Sequence, residues 1–335
     1  MLSHVERMSA MAVIGGRCFS GLLDVTSDLT ALDASGLWVV VLRFEGHAVC
    51  ARFDRVGPAR PATAERWTGP TPDAWSSSLD RDSFEKGVIA VREAIAAGDV
   101  YQVNLCRVLS APAPPAGDIV ALGAALAAGN PAPHAAVVRL PQVELASASP
   151  ELFLRRHGDS VESRPIKGTA RPGAEFTAKD RAENVMIVDL VRNDLGRVCA
   201  YGSVEVPALC EAERHPGLDH LVSTVRGRLT PGVGWAGLLD ATFPPGSVTG
   251  APKLAALEMI GVLEPVPRGP YCGAVGWVDA DRGRGALNVA IRTFWLEDGI
   301  LRFGTGGAVT WDSTPEGEWA ETELKAARLL SVASA

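Results

Sequence analysis

Four short apolar segments follow one another between residues 135 and 164, with no helical segment between them. They span residues 135–140, 143–148, 151–156 and 160–164, and turn residues bound them, as is typical of strands. The regular alternation of strands and helices that a Rossmann-type parallel sheet requires is missing here. The succession therefore favours an α+β fold with antiparallel sheets.

The rest of the chain shows the same mixture of strands and helices. Strands are predicted within residues 13–53, at 100–108, within 271–296 and at 300–310, where Asp298-Gly299 is a good hairpin turn. Helices are predicted at 83–98, with Ser83 as the N-terminal cap, and at 118–128, 175–194, 232–241, 251–262 and 316–332. No repeat or clear domain boundary interrupts this order, so we expect a single large domain over residues 1–335.

Composition and net charge limit the classes of partner that we expect for this protein. Hydrophobic residues make up 47% of the 335 residues, and 32 basic and 39 acidic side chains give a net charge of −7. No basic stripe with interleaved aromatic residues is present, so we expect no nucleic-acid partner. An acidic protein can still bind a small anion through a local cluster of cations or a metal ion.

Targeting and redox signals are weak. No apolar run approaches the roughly 20 residues that a membrane span requires, and the N-terminal apolar run is too short for a signal peptide. Six cysteines are scattered without a Cys-x-x-Cys pair, which favours reduced thiols. We therefore expect a cytoplasmic protein without a membrane partner.

Lys167 lies in a segment whose backbone is restricted. Pro165 precedes it by two residues and Gly168 follows it, so the chain forms a rigid corner that presents one amine. Taken alone, this pattern also fits a solvated lysine in a surface turn.

Two predicted helices each begin with acids three residues apart, which places each pair on one helix face. The pairs are Asp180 with Glu183 and Glu318 with Glu321. Acids near a helix N-terminus often only complement the helix dipole. The alternative is a magnesium site between two converging helices, because Mg²⁺ prefers one or two carboxylates together with oxygens from substrate and water.

Candidate anion contacts occur near the C-terminus. They are Arg292 and the loop Gly304-Thr-Gly-Gly-Ala308, whose backbone N–H groups can turn towards a carboxylate. The segment 243–253 ends in Lys253 but lacks the spacing of a phosphate-binding loop. His220 beside an apolar run fits a structural histidine as well as a site residue.

Eight short motifs occur in a fixed order from residue 149 onward. They are Ser149-Pro-Glu-Leu-Phe153, Pro165-Ile-Lys-Gly-Thr169, the segment 181–196, His220-Leu-Val-Ser223, Gly250-Ala-Pro-Lys253, Arg268-Gly-Pro-Tyr271, Ala290-Ile-Arg-Thr293 and Asp312-Ser-Thr-Pro-Glu316. In this order they resemble the catalytic domain of the chorismate-utilising enzymes, which include anthranilate, aminodeoxychorismate, isochorismate and salicylate synthases. The resemblance implies antiparallel sheets packed as a sandwich with flanking helices, with residues 81–333 as the catalytic core and 1–80 as a shortened N-terminal part.

Lys167 and Asn184 distinguish branches of this family. Anthranilate synthases typically carry Ala at the first position and His at the second, whereas aminodeoxychorismate synthases typically carry Lys and the motif found here, Asp180-Arg-Ala-Glu-Asn184. The resemblance therefore implies formation of 4-amino-4-deoxychorismate, on the route to p-aminobenzoate and folate. The alternatives are anthranilate synthase component I and, from another class, a non-catalytic chorismate-binding regulatory subunit.

The resemblance also implies a role for each matched residue. Glu151 is the expected general acid and Lys167 the expected nucleophile. Mg²⁺ is the expected cofactor, held by Glu183 and Glu321 with Asp180 and Glu318 nearby. The expected substrate-binding residues are Arg292, Tyr271, Gly306, Gly307, His220, Ser247, Thr169 and Lys253.

A partner and two departures complete the comparison. No glutaminase nucleophile motif is present, so the resemblance implies a separate glutamine amidotransferase subunit that supplies ammonia. The glycine-rich loop ends in Ala308 where the family usually has Gly. The Ser expected after Gly21-Leu-Leu-Asp24 is missing, which argues against feedback inhibition by tryptophan.

Overall fold

Every strand pair in the described part of the chain is antiparallel, from the hairpin of residues 11–26 to the last one at 293–309. The computed structural model describes residues 9–59, 66–114, 117–170, 173–215 and 218–334. These residues form a single domain of mostly antiparallel sheet with flanking helices, which confirms the predicted fold class.

Eighteen strands make up the sheet within the described residues. They are β1 (Met11–Ile14), β2 (Arg17–Thr26), β3 (Leu37–Leu42), β4 (Ala48–Pro58), β5 (Ser76–Ser77), β6 (Gln102–Pro112), β7 (Ala136–Leu140), β8 (Val143–Ser147), β9 (Leu152–His157), β10 (Ser160–Arg164), β11 (Ile166–Ala170), β12 (Glu205–His215), β13 (Leu218–Arg228), β14 (Gly250–Ala251), β15 (Ala274–Asp279), β16 (Arg284–Val289), β17 (Thr293–Glu297) and β18 (Ile300–Val309).

The pairings join these strands into one continuous ribbon. One half runs β6–β18–β17–β8–β7–β1, and β2 connects it to the other half, β4–β3–β15–β16–β9–β10–β13. Both halves contribute to one hydrophobic core: Val103 and Leu145 come from the first half, and Val40 and Leu287 from the second. Side chains from the two halves therefore pack as two layers.

Six α-helices flank the sheet within the described residues. They are α1 (Arg81–Ala97), α2 (Ile119–Gly129), α3 (Ala178–Gly196), α4 (Trp235–Thr242), α5 (Lys253–Leu263) and α6 (Pro315–Ala333). Helix α3 packs on β11 and β13, at one end of the ribbon, and α6 packs on β18, at the other end. These two helices carry the acids that the sequence singled out.

Local capping explains the ends of the first helix. Gly98 adopts a left-handed conformation with φ of 87° and ends α1, as predicted. The predicted cap was wrong: Asp80 is the N-cap, and its carboxylate accepts a hydrogen bond from the backbone N–H of Ser83 at 2.8 Å. Asp and Ser are equally good caps, so the two positions could not be separated by propensity.

Two further predictions concern the state of the cysteines and the presence of membrane-spanning helices. All six cysteines are free thiols, as expected. Within the described residues, no helix combines the length and the apolar composition needed to cross a bilayer.

Candidate active site

The two ends of the strand ribbon meet at one group of polar side chains. Lys167 on β11 interacts electrostatically with Glu183 on α3, with Glu151 before β9, and with Glu321 and Lys325 on α6. The fold thus brings together residues more than 150 positions apart in the chain. Glu151, Lys167 and Glu183 lie in the sequence motifs, and Glu321 was singled out as one of two acids three residues apart on its helix.

Glu151 is anchored through its backbone before its side chain enters the site. Its N–H donates to Ser149 Oγ at 3.2 Å, and Ser149 Oγ in turn donates to the carbonyl of Val289 at 2.6 Å. The carbonyl of Glu151 accepts from the N–H of Val289 at 3.1 Å. The residue is therefore fixed against β16 at the start of β9, and its carboxyl group has a defined position.

Glu151 is 4% exposed, and burial is the main influence on the pKa of its carboxyl group. Desolvation raises the pKa of Glu151 to about 7, although the Ser247 hydroxyl, Lys167, the backbone N–H of Ile166 and Arg292 all favour the charged form. A carboxyl group with this pKa is half protonated near neutral pH. It can therefore give up a proton and take one back, as a general acid and base must.

The amine of Lys167 responds to the same surroundings in the opposite direction. Desolvation lowers the pKa of Lys167, while the acids Glu183 and Glu151 oppose the shift and Lys325 adds to it. The side chain keeps partial exposure to solvent, so a small molecule can reach it. A lysine that loses its proton more easily is a better nucleophile.

The corner that carries Lys167 depends on a close backbone approach. Gly168 has φ of 88°, and a β-carbon there would lie 2.9 Å from the β-carbon of Asp180. Asp180 completes a capping box at the start of α3, where its Oδ2 accepts from Thr177 N at 2.8 Å and from Thr177 Oγ1 at 2.7 Å. In this structure Asp180 therefore fixes the helix start against the lysine corner, and its expected role near a metal remains a prediction.

Three glutamates from α3 and α6 form the acidic part of the site. Desolvation raises the pKa values of Glu183 and Glu318, and the charge of Glu321 adds to both shifts. Desolvation is the largest single influence on Glu321 and raises its pKa, but its ion pair with Lys325 at 2.6 Å and the charges of Lys167 and Lys179 together lower the pKa below its usual value. The two helices thus bring acids close enough to repel one another.

The chemistry of these acids fits a magnesium ion, which stays an expectation from the resemblance. Glu318 is 3% exposed, and its Oε2 has no hydrogen-bond partner, which leaves a buried acceptor for a cation. Within the described residues, no three His, Cys, Asp or Glu side chains are gathered closely enough to form a metal cage. Mg²⁺ needs only one or two protein carboxylates, because waters and substrate oxygens complete its octahedron.

The glycine-rich strand end lies directly against this acidic group. A β-carbon at Gly307 would lie 2.8 Å from Glu318 Oε2 and 3.7 Å from Glu321 Oε1. The carbonyl of Gly306 accepts a hydrogen bond from Lys325 Nζ at 3.0 Å. Both predicted glycines therefore border the site, and Gly307 leaves the space that the acids face.

Arg292 reaches the site from the connection between β16 and β17. It adopts φ of 53°, a left-handed conformation that costs energy for a residue other than glycine. Desolvation lowers the pKa of its guanidinium, and the nearby charge of Glu151 opposes the shift. Arg292 is thus a cation near Glu151, and its expected contact with a substrate carboxylate stays a prediction.

Ser247, His220 and Thr169 follow the prediction to different degrees. Ser247 is 5% exposed, and its hydroxyl favours the charged form of the nearby Glu151 carboxyl group, which lowers the pKa of that group. His220 is buried on β13, in register with the backbone of Thr169 on β11. The side chain of Thr169 lies outside the part of the chain that the structure describes.

Lys253 pairs with a different acid from the three glutamates of the site. Its Nζ donates to Asp194 Oδ2 at 2.7 Å and to the carbonyl of Thr242 at 3.0 Å. A cavity of about 20 Å³, lined by residues that include Glu151, Ser247 and Asp194, lies between this ion pair and Glu151. Such a volume holds about one water molecule.

Tyr271 supports the glycine-rich strand from behind. A β-carbon at Gly304 would lie 2.1 Å from the tyrosine ring, so the ring packs flat against the strand. Its hydroxyl lies 3.9 Å from Cys106 Sγ, and burial raises the pKa of the phenol well above its usual value. In this structure its observed contacts are with the protein, and its expected contact with substrate remains a prediction.

Two lysines of the site were not predicted from the sequence. Lys179 lies 3.8 Å from Glu183 and 3.9 Å from Glu318, and Lys325 pairs with Glu321. Both lie four residues from a glutamate on the same helix, a spacing that also occurs on ordinary solvated helix faces. Only the meeting of the two helices shows that these lysines face the site.

Comparisons with known proteins identify the family of this chain. Residues 42–331 match the family described as chorismate binding enzyme. The chain is 42% identical over 271 residues to anthranilate synthase component 1 1 of Haloarcula marismortui, covering 77% of this chain and 54% of that protein. It is 36% identical over 337 residues to aminodeoxychorismate synthase component 1 of Escherichia coli, covering 94% of this chain and 74% of that protein.

A solved structure shares the fold. The 2,3-dihydroxybenzoate-specific isochorismate synthase of Bacillus anthracis superposes with a TM-score of 0.82 at 24% identity, over 98% of this chain and 96% of that one. The chain spans about half the length of the Haloarcula relative, as the 54% coverage shows. From the family match and the relatives together, the chain belongs to the chorismate-binding enzyme family.

Proposed function

We propose that this protein is the chorismate-aminating component of an aminodeoxychorismate synthase, which converts chorismate and ammonia to 4-amino-4-deoxychorismate. The observation that carries the proposal is that burial in one shared site shifts the pKa values of Glu151 and Lys167 in opposite directions. Burial makes the acid hold its proton near neutrality and makes the amine release its proton more easily. A substitution that needs both a protonated acid and a free amine is suited to this pair.

The first half of the reaction removes the C4 hydroxyl of chorismate. The neutral amine of Lys167 forms a bond to C2 of the ring, the two conjugated double bonds shift by one position, and the C4–O bond breaks. The proton of Glu151 goes to the departing oxygen, which leaves as water. The protein thus exchanges a poor leaving group for a covalently bound lysine.

The second half installs nitrogen and restores the enzyme. Ammonia attacks C4, the double bonds shift back, and the C2–N bond to Lys167 breaks. The carboxylate of Glu151 takes the proton that the new C4 ammonium gives up, and cleavage of the C2–N bond returns Lys167 directly as a neutral amine. The sum is chorismate plus ammonia to product plus water.

The acids of α3 and α6 would hold Mg²⁺. The residues suited to this are Glu183 and Glu321, with Glu318 next to them. When bound, the ion would supply charge neutralisation and orientation for the ring carboxylate of the substrate. Arg292, which lies near Glu151, is suited to the second substrate carboxylate.

Ammonia would come from a separate glutamine amidotransferase subunit. The relatives in Haloarcula and Escherichia coli are named as first components, which supports a partner that supplies nitrogen. Cys272 is buried with φ of 63°, and a buried thiol is poorly placed to attack glutamine. Ammonium salt at high pH is the alternative nitrogen source.

Anthranilate synthesis is the second candidate. The 42% identity to the Haloarcula anthranilate synthase component favours it. The presence of Lys167 favours amination at C4, because the covalent route requires an amine at this position.

Product identity separates the two candidates. The purified protein is incubated with chorismate, Mg²⁺ and ammonium, and the products are resolved by chromatography and mass spectrometry. Aminodeoxychorismate that an added lyase converts to p-aminobenzoate is the expected result. Fluorescent anthranilate formed without a lyase contradicts the proposal. The Lys167→Ala variant is measured beside it, and aminodeoxychorismate at the parent rate would contradict the role of the lysine.

A further inference from the structure

Lys179 lies between the two helices that carry the candidate metal ligands. Its Nζ is 3.8 Å from Glu183 Oε1, on the same helix α3, and 3.9 Å from Glu318 Oε1 on α6. One ammonium therefore sits within ion-pair distance of an acid from each helix. The ammonium of Lys179 therefore places a positive charge next to Glu183 and Glu318.

Glu318 provides a second and independent indication of a cation position. The side chain is 3% exposed, and its Oε1 accepts a hydrogen bond from Ser313 Oγ at 2.5 Å. Its Oε2 is buried without a partner and faces the space that Gly307 leaves open. Because a buried acceptor without a partner is unfavourable, this oxygen is ready to bind a further cation.

The contacts of Lys179 are weak enough to exchange. Both distances exceed the roughly 2.7–2.9 Å of a charge-assisted hydrogen bond, so the ammonium attracts both acids without a short bond to either. The side chain is 43% exposed and lies in the first turn of α3. A flexible, exposed lysine can move into water at little cost.

We propose that Lys179 is a built-in competitor of the divalent cation, whose ammonium neutralises Glu183 and Glu318 without metal and withdraws when the metal binds. The inference rests on the magnesium site of the proposed function. Lys179 is a positioning residue, because it touches the metal ligands and not the reacting atoms. Removing it frees the acids for the metal but leaves them to repel each other when the metal is absent.

Direct titration of the metal tests this competition. Mg²⁺ is titrated into the parent protein and into Lys179→Met by isothermal calorimetry, with no chorismate present. The variant is expected to bind Mg²⁺ about threefold to tenfold more tightly, the range expected from losing the two weak ion pairs with Glu183 and Glu318. Its melting temperature without metal should be lower than that of the parent, and its rise on adding Mg²⁺ should be larger.

Arg181→Gln is the matched control for long-range charge. Arg181 lies two residues further on the same helix and forms no ion pair among the described residues. Its removal changes the net charge as Lys179→Met does but leaves the acid contacts intact. We expect less than a twofold change in Mg²⁺ affinity for this variant.

A chemical probe follows the lysine itself. The parent protein is treated with an amine-acylating reagent with and without Mg²⁺, and acetylation of the peptide that contains Lys179 is quantified by mass spectrometry. Faster acylation with Mg²⁺ is expected, because the amine leaves the acids for solvent.

Each other outcome overturns the inference. Weaker Mg²⁺ binding in Lys179→Met would make the lysine a support for the site, and equal gains in both variants would reduce its role to net charge. Mg²⁺ binding in neither protein would remove the metal site itself. Failure of the proposed function is seen separately, in the identity of the product.

Discussion

The backbone N–H of Ile166, the residue that precedes Lys167, acts on the carboxyl group of Glu151 and favours its charged form. The carboxyl group of Glu151 and the peptide that carries Lys167 are therefore neighbours in one desolvated site. Any movement of the lysine corner also changes the surroundings of this carboxyl group.

Replacing the acid should stop the departure of the C4 hydroxyl. Glu151→Gln keeps the size of the side chain but cannot supply a proton, so we expect kcat to fall by about 10²–10⁴-fold. The circular dichroism spectrum and chorismate affinity should change little. Steady-state kinetics give the test, and a variant within threefold of the parent rate would remove Glu151 from the chemistry.

The pH dependence follows from the same group. Burial raises the pKa of Glu151 to about 7, so the protonated acid is lost as pH rises through that value. The mechanism also needs neutral Lys167, so we expect the pH profile of kcat/KM for chorismate, at saturating ammonia, to be bell-shaped, with one limb set by Glu151 and the other by Lys167.

The raised pKa of Glu151 also makes the stability of the folded protein depend on pH. The folded protein holds the Glu151 proton more tightly than the unfolded chain, so its contribution to the free energy of unfolding is full below about pH 4.5 and is lost as pH rises through about 7. The upper bound is about 3 kcal/mol. Glu151→Gln should lack this component in urea unfolding measured across that range, and identical profiles for the two proteins would contradict it.

The lysine corner should not tolerate a side chain at Gly168. An alanine there meets the β-carbon of Asp180 at 2.9 Å and must adopt φ of 88°, so we expect a loss of about 2–4 kcal/mol in unfolding free energy. Gly173→Ala is the matched control, because Gly173 has φ of 78° but no atom within 4 Å of its added β-carbon. Its loss should stay near 1 kcal/mol, and equal losses would show that the contact with Asp180 is unimportant.

Lys253 should act on stability more than on substrate binding. Lys253→Met leaves Asp194 without its partner in a site where both side chains are at most 15% exposed, and we expect a loss of about 3 kcal/mol. The double variant with Asp194→Asn should recover much of this loss. A large rise in the KM for chorismate with unchanged stability would instead support the predicted contact with substrate.

The strands around the site could be predicted closely because their turns are marked in the sequence. The segments at 136–140 and 160–164 match the prediction to within one residue. The hairpin of β12 and β13 was missed. Strand β12 is an edge strand that contains Pro207 and several charged residues, which are uncommon within strands, and its register shifts twice.

The site was only partly accessible to sequence reasoning. Ordered motifs identified Glu151, Lys167 and Glu183, because their neighbours in the chain carry the pattern. The burial that raises the pKa of Glu151 depends on residues from β10, α3 and β16 that pack around it, and no local pattern encodes that. The two lysines Lys179 and Lys325 gain their role only because α3 and α6 meet.

The covalent role of Lys167 can be observed directly. The protein is mixed with chorismate and Mg²⁺ without ammonia or an amidotransferase, quenched with acid, digested and analysed by mass spectrometry. The mechanism predicts a peptide containing Lys167 whose mass has increased by that of chorismate less one water, and no such peptide in Lys167→Ala. An unmodified Lys167 peptide from protein that forms aminodeoxychorismate once ammonia is added would contradict the mechanism.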